Sequence, residues 1–280
     1  MSRYEVVTDA RAELGECPLW NPRTGTLHWV DIPNGFLHTH RPSDGTHTRL
    51  FVRPFLSAVA LTDHGSLVAA VRGGVAHLDP ETRELRFFAS IERENPARRL
   101  NDVGVDPAGG LWVGCVDDGE TPGSSTIYRV DHTGVRPMIT GLDFANGIAW
   151  SPDGRTLYTV DSLRYTVAAH DVSGGEPSFR DFVWQGTARD GMPDGLAIDL
   201  AGDLWVAFWG AGCLRRLGPD GTVREVVTLP AQRVSSCAFG GERLDTLYVT
   251  SAAGDGESSG AVFALPVRTP GLPVPTITRT

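Results

Sequence analysis

Six polar residues recur at near-regular intervals through the 280-residue chain: Glu16, Ser57, Asn101, Asn146, Asp194 and Ser235. The steps between them are 41, 44, 45, 48 and 41 residues. Each stands four residues before an apolar anchor (Trp20, Leu61, Val105, Trp150, Ile198 and Phe239), with largely apolar or small residues between. If the six converge, two carboxylates and an amide among them, Glu16, Asp194 and Asn146, would repel each other without a cation. Oxygen donors of this kind suit a hard divalent metal, Ca²⁺, Mg²⁺ or Mn²⁺, and admit Zn²⁺. Three protein ligands leave positions for water and substrate, as a catalytic metal requires. Asp194 is the better candidate for a general base beside it. Arg99, in the run Arg98-Arg99-Leu100-Asn101-Asp102, would hold hydroxyls or developing negative charge near such a centre. Asn101 carries no carboxylate and suits substrate contact better than metal binding.

The elements that must position these residues repeat with them. Each copy runs from its polar residue through a short apolar strand to a turn, as in ANGIAWSPDGRTLYTVDS, and returns along an alternating strand such as TLHWVDI, GLWVGC or DLWVAFW. A third and a fourth strand follow, as in IYRVDHTG and VRPMIT. Four short strands per repeat of 40 to 50 residues describe a propeller blade. The sequence therefore predicts an all-β, six-bladed β-propeller of four-stranded antiparallel blades, one domain over residues 1–280. The sixth copy lacks an outer strand, and the unused RYEVVTD near the N-terminus is expected to supply it and close the ring. The tail TPGLPVPTITRT is expected to be a loose end or an extra edge strand. Tryptophans on the strands are assigned to packing between blades. The Asp-Gly turns read as hairpin chemistry and not as calcium loops. His38 and His40, two apart on a third strand, are expected on the strand surface.

Composition sets the outer limits. The net charge of −9 argues against nucleic acid or an anionic membrane as partner. The first residues lack the basic and apolar regions of a signal peptide, and no run approaches the length of a membrane span. A cytoplasmic protein, monomeric or a weak homodimer, is expected. The four cysteines, Cys17, Cys115, Cys213 and Cys237, form no CxxC pair and are expected as reduced, partly buried thiols. No nucleophile elbow, P-loop or dinucleotide fingerprint occurs.

The segments GECPLWNPRTGTLHWVDI, RLNDVGVDPAGGLWVG, ANGIAWSPDGRTLYTVDS, PDGLAIDLAGDLWVA and SSCAFGGERLDTLYVT resemble the regucalcin (senescence marker protein 30) and gluconolactonase family, and the resemblance spans essentially the whole chain. It implies a six-bladed propeller with one divalent metal in the channel that hydrolyses sugar-acid lactones such as gluconolactone, arabinolactone or xylonolactone. The family's metal-binding Glu, Asn and Asp fall on Glu16 (Gly-Glu), Asn146 (Asn-Gly) and Asp194 (Pro-Asp-Gly), the last also implied as the base. Its substrate-binding Arg and Asn fall on Arg99 and Asn101. An acidic residue that some relatives use for sugar hydroxyls maps by strict counting to Gly119, flanked by Asp117, Asp118 and Glu120, of which Asp118 is the expected contact. Cys17 replaces the small residue usual after the metal-binding Glu, where it would either tune metal preference or pack. Two competing readings keep the same channel: an arylesterase or phosphotriesterase, and a non-enzymatic calcium-binding propeller.

Overall fold

The computed structural model describes residues 4–278. Six four-stranded antiparallel sheets are arranged as blades, each a meander whose strands neighbour one another in chain order. The inner strands are Gly15–Asn21, Leu56–Leu61, Arg98–Val105, Ala145–Trp150, Met192–Ile198 and Val234–Gly240. The last blade runs Val234–Gly240, Thr246–Ser251 and Phe263–Pro266, and its outermost place is taken by Glu5–Val6, paired as Glu5 with Ala264 and Val6 with Phe263. The N-terminal strand thus closes the ring as its sequence predicts.

Burial falls from the axis outward. In blade two, LSAVAL (Leu56–Leu61) and LVAAV (Leu67–Val71) are buried at every position, whereas the outer strand Leu85–Ser90 is mostly exposed. Blades stacked face to face bury both sides of their inner strands, so these read as continuous apolar runs. Aromatic rings fill the wedges: Trp20 of blade one stacks on Tyr248 of blade six at 5.9 Å, and Trp112 of blade three meets Trp150 of blade four edge-on at 5.5 Å. Turn aspartates serve the scaffold. Asp106 accepts from the Ala108 and Gly110 N–H groups and from the Trp112 indole, and Asp199 repeats this with Ala201, Asp203 and Trp205.

Two expectations need correction. His38 and His40 are buried, not on the surface: His38 stacks on Trp29 at 4.9 Å and its Nδ1 lies 3.0 Å from His47 Nε2. Burial pushes His38 down to about 4, so the stack is neutral near pH 7. The tail is neither a loose end nor an added edge strand. From Pro270 to Thr278 it crosses the end of the channel, tied to Ile198 and Leu200 of blade five, Leu244 of blade six, Leu61 and Asp63 of blade two, and Gly109 of blade three. A cavity of about 460 Å³ lies behind it, lined by the six anchors Trp20, Leu61, Val105, Trp150, Ile198 and Phe239 and capped by Leu272–Pro275.

Candidate active site in the channel

The six polar positions sit at the opposite end of the inner strands from the anchors, roughly 13 Å away at ~3.3 Å per residue. At each of them strand pairing slips: the register breaks at Glu16/Leu19, Leu56/Ala58, Leu100/Val103, Asn146/Ile148, Pro193/Leu196 and Val234/Ser236. A bulge re-aims the side chains beside it, and here one recurs in every blade.

The ring residues do two different jobs. Ser57 Oγ donates to the Leu100 carbonyl at 2.5 Å, Asn101 Nδ2 to the Ala145 carbonyl at 3.0 Å, and Ser235 Oγ to the Gly15 carbonyl at 2.5 Å. Asn146 Nδ2 donates to Ser162 Oγ at 3.1 Å, and that hydroxyl donates on to the Pro193 carbonyl at 2.6 Å. Apart from Asn146 to Ser162, which lies within blade four, each bond joins one blade to the residue preceding the next ring position. Glu16 and Asp194, as carboxylates, cannot donate. At their two junctions a cysteine makes the link: Cys17 Sγ with the Val59 carbonyl at 3.3 Å, and Cys237 Sγ with the Trp205 carbonyl at 3.2 Å. Cys17 therefore packs and joins blades, its thiol pushed up by burial and unsuited to nucleophilic work.

Close approach of neighbouring strands explains the residues after the ring. A Cβ on Gly147 would lie 2.7 Å from the Asp194 carbonyl oxygen, and one on Gly195 would lie 2.1 Å from Ser236 Oγ. In blade one Cys17 takes the corresponding place at φ 47°, with its N–H on Glu16 Oε2 at 3.2 Å.

The electrostatics are those of crowded, buried acids. Asp194 is 6% exposed and its Oδ1 has no hydrogen-bond partner. Burial, then the Glu16 and Asp102 charges, hold Asp194 well above the usual carboxylate range. Burial and Asp102 push Glu16 up to about 8, and burial lifts Asp102 to about 6. Asp102 is a third acid the repeat did not single out. Among the described residues no three of His, Cys, Asp and Glu are grouped to hold a metal. The ring position in the blade before Asp194 is an amide, Asn146. Its Oδ1 accepts from Asn101 Nδ2 at 2.9 Å while its Nδ2 is spent on Ser162, so both partners fix which way the amide faces.

At the mouth, Arg99 is mostly buried. Its Nη1 donates to Asn101 Oδ1 at 2.6 Å, and its Nε lies 3.2 Å from Asp118 Oδ1. Asp118 is held from the other side by Arg72 Nη2 at 2.6 Å. Of the three acidic candidates here, Asp118 alone pairs with Arg99, since Asp117 turns onto Thr121 and Glu120 lies in a positive-φ turn. Asn101 has both amide hydrogens committed and its Oδ1 already accepts from Arg99, which leaves one lone pair of that oxygen for a further donor. Arg72 had no sequence signal, because it belongs to no ring position.

A six-bladed propeller with an acid-lined channel and a guanidinium at its mouth defines the class. Residues 14–253 match the model of the SMP-30/Gluconolactonase/LRE-like region, and the chain belongs to that family. It is 35% identical to the pentonolactonase XacC of Haloferax volcanii, over 95% of each chain. It is 34% identical to the 6-deoxy-6-sulfogluconolactonase of Pseudomonas putida, over 94% of each. Among solved structures, a calcium-binding regucalcin from Agrobacterium tumefaciens superposes with a TM-score of 0.92 at 28% identity, covering 97% of this chain and 96% of that one.

Proposed function

We propose that this protein hydrolyses a sugar-acid lactone to the open aldonic acid, using one divalent cation held by Glu16, Asn146 and Asp194. The observation that carries the reading is the buried acids Glu16 and Asp194, Asp194 raised by burial and by Glu16, Glu16 by burial and by Asp102, with Asp194 Oδ1 unpartnered and an amide of fixed orientation in the neighbouring ring position. Two buried acids facing each other are costly unless a cation answers them. The relatives named as lactonases supply the reaction class. The four free, buried thiols agree with a reducing, cytoplasmic setting.

The cation would supply polarisation of the lactone carbonyl and a bound water of lowered pKa. Asp194 takes the proton from the attacking water and returns it to the ring oxygen as the C–O bond opens. Arg99 donates to sugar hydroxyls or to the developing oxyanion, held in place by Asn101 and Asp118. Asn101 Oδ1 and the exposed edge of Asp118 accept from hydroxyls. Ser57 and Ser235, committed to blade junctions, take no part.

The test is a panel of aldonolactones assayed after chelation and re-addition of Ca²⁺, Zn²⁺, Mg²⁺ or Mn²⁺ singly. Turnover should vanish on chelation and return with one or more of these ions. Undiminished hydrolysis by the chelated protein, or no turnover of any lactone with any ion, overturns the reading.

A further inference from the structure

Beside the channel mouth three arginines surround a second cavity, of about 300 Å³. Arg53 follows the outer strand of blade one (Thr46–Phe51), Arg72 forms the turn between Leu67–Val71 and Gly74–Leu78 of blade two, and Arg93 lies in the passage from blade two to blade three. Gly73, Phe87, Asn95 and Pro96 complete the lining, and no carboxylate lines it. The nearby Glu92 is turned onto the Tyr128 hydroxyl at 2.7 Å. Asn95 Oδ1 accepts from the Ala97 N–H at 3.2 Å, and its amide nitrogen supplies two donors. Every polar side chain of this wall is therefore a hydrogen-bond donor.

The charge is uneven in a telling way. The whole chain carries −9, yet these three guanidinium groups have one anionic partner among the described residues, Asp118 on Arg72. Arg72 is also the fixed point, mostly buried over the Phe55 ring at 4.1 Å and donating to the Pro96 and Arg98 carbonyls. Arg53 lies 6.0 Å from the exposed Phe87 ring. Gly73, at φ 91°, leaves the aliphatic chain of Arg93 room, its Cγ 3.4 Å from where a Cβ would stand. About two positive charges remain unanswered, which matches a phosphomonoester, a dianion above pH ~6. The volume exceeds what bare phosphate fills, and the Phe87 and Pro96 surfaces give a carbon body an apolar wall.

We propose that this pocket binds a phosphomonoester on a sugar-sized carbon body, separately from the channel. The planar fork of arginine is suited to phosphate oxygens. Arg72 alone is shared with the channel mouth, through Asp118, while Arg53, Arg93 and Asn95 belong to this pocket only.

Isothermal titration of the full-length protein with glucose 6-phosphate, glucose, gluconate and inorganic phosphate tests this. Glucose 6-phosphate should bind saturably, at least tenfold tighter than any of the other three, and weaken as salt is raised. The double substitution Arg53→Ala with Arg93→Ala alters two exposed side chains and should weaken binding at least tenfold while leaving melting and lactone turnover unchanged. Glu16→Gln, which disables the channel site, should leave glucose 6-phosphate binding intact. Loss of binding in Glu16→Gln would place the ligand in the channel and overturn the proposal. So would undiminished binding by the double variant, equal binding of gluconate or inorganic phosphate, or no saturable heat.

Discussion

At four of six blade junctions a ring residue or its hydrogen-bonded neighbour donates to the next blade, and at the remaining two the ring residue is a carboxylate that cannot. Removing a junction bond leaves a buried carbonyl unpaired, at a cost of about 1–3 kcal/mol. Ser235→Ala should lower stability by that order while leaving lactone turnover near that of the wild type, measured by denaturant melting and initial rates. The carboxylates should behave in the opposite way. Without metal and above about pH 8, where Glu16 becomes charged, Glu16→Gln and Asp194→Asn relieve repulsion between buried acids and should raise the melting temperature, yet each should cost on the order of 10²–10⁴ in kcat with metal restored. Their titration carries the same signature. Glu16 has a folded pKa near 8 against an ordinary value of 4.5, so the folded protein holds this proton where the unfolded chain has lost it. That contribution is full below the unfolded value and disappears as pH rises through about 8. In excess chelator the melting temperature should fall between about pH 5 and pH 8, less steeply in Glu16→Gln. Identical slopes in the two proteins would show that Glu16 is not the group responsible.

At the scale of the strand, the bulge decides what faces the axis. The ring positions of Glu16, Asn146 and Asp194 were legible in the sequence because the repeat places one polar residue at an equivalent point in each copy. Asp102 was not, because strict alternation sends the residue after Asn101 to the opposite face. The slip between Leu100 and Val103 cancels that alternation and lets Asp102 act on Glu16 and Asp194. Arg72 and the joining role of Cys17 and Cys237 were hidden for a related reason, since they depend on contacts between blades and not on a period within them. The same tightness makes the glycines sensitive. A Cβ at Gly147 would press on the Asp194 carbonyl oxygen at 2.7 Å, backbone that must shift to admit it. Gly147→Ala should destabilise the fold by about 1–3 kcal/mol. Because the displaced strand carries Asp194, metal affinity should fall further than stability alone explains. Calorimetric metal titration well below the melting temperature separates the two, and unaltered affinity would sever the link between this packing and the site.

Across the whole molecule the two ends of the channel differ in kind. One holds Glu16, Asp194 and Arg99; the other is lined mostly by apolar residues and crossed by the C-terminal segment. The six blades, their strand count and the N-terminal closure were readable from spacing alone. The crossing was not, because its few backbone bonds to six residues on four blades leave no alternation or period in TPGLPVPTITRT. Ile277 donates to the Leu61 carbonyl at 2.8 Å, Gly271 to that of Leu244 at 2.9 Å, and Leu200 to that of Pro270 at 2.8 Å, so the segment ties blades on opposite sides of the axis. It also shields apolar anchors: Gly271 lies directly against the Phe239 ring, and Leu272 and Val274 face the cavity. Deleting residues 269–280 removes these bonds and strips the cap formed by Leu272–Pro275 from a cavity of about 460 Å³. The blades themselves keep every strand pair, so far-ultraviolet circular dichroism should be unchanged at low temperature. The melting temperature should nevertheless fall by several degrees, at about 2–4 °C per kcal/mol for a domain somewhat smaller than this one. A dye that fluoresces on apolar surface should bind the truncated protein and not the full chain, because the exposed anchors form one contiguous patch. A truncated protein that melts with the full chain and binds no dye would mean the segment rests on the ring without sealing it.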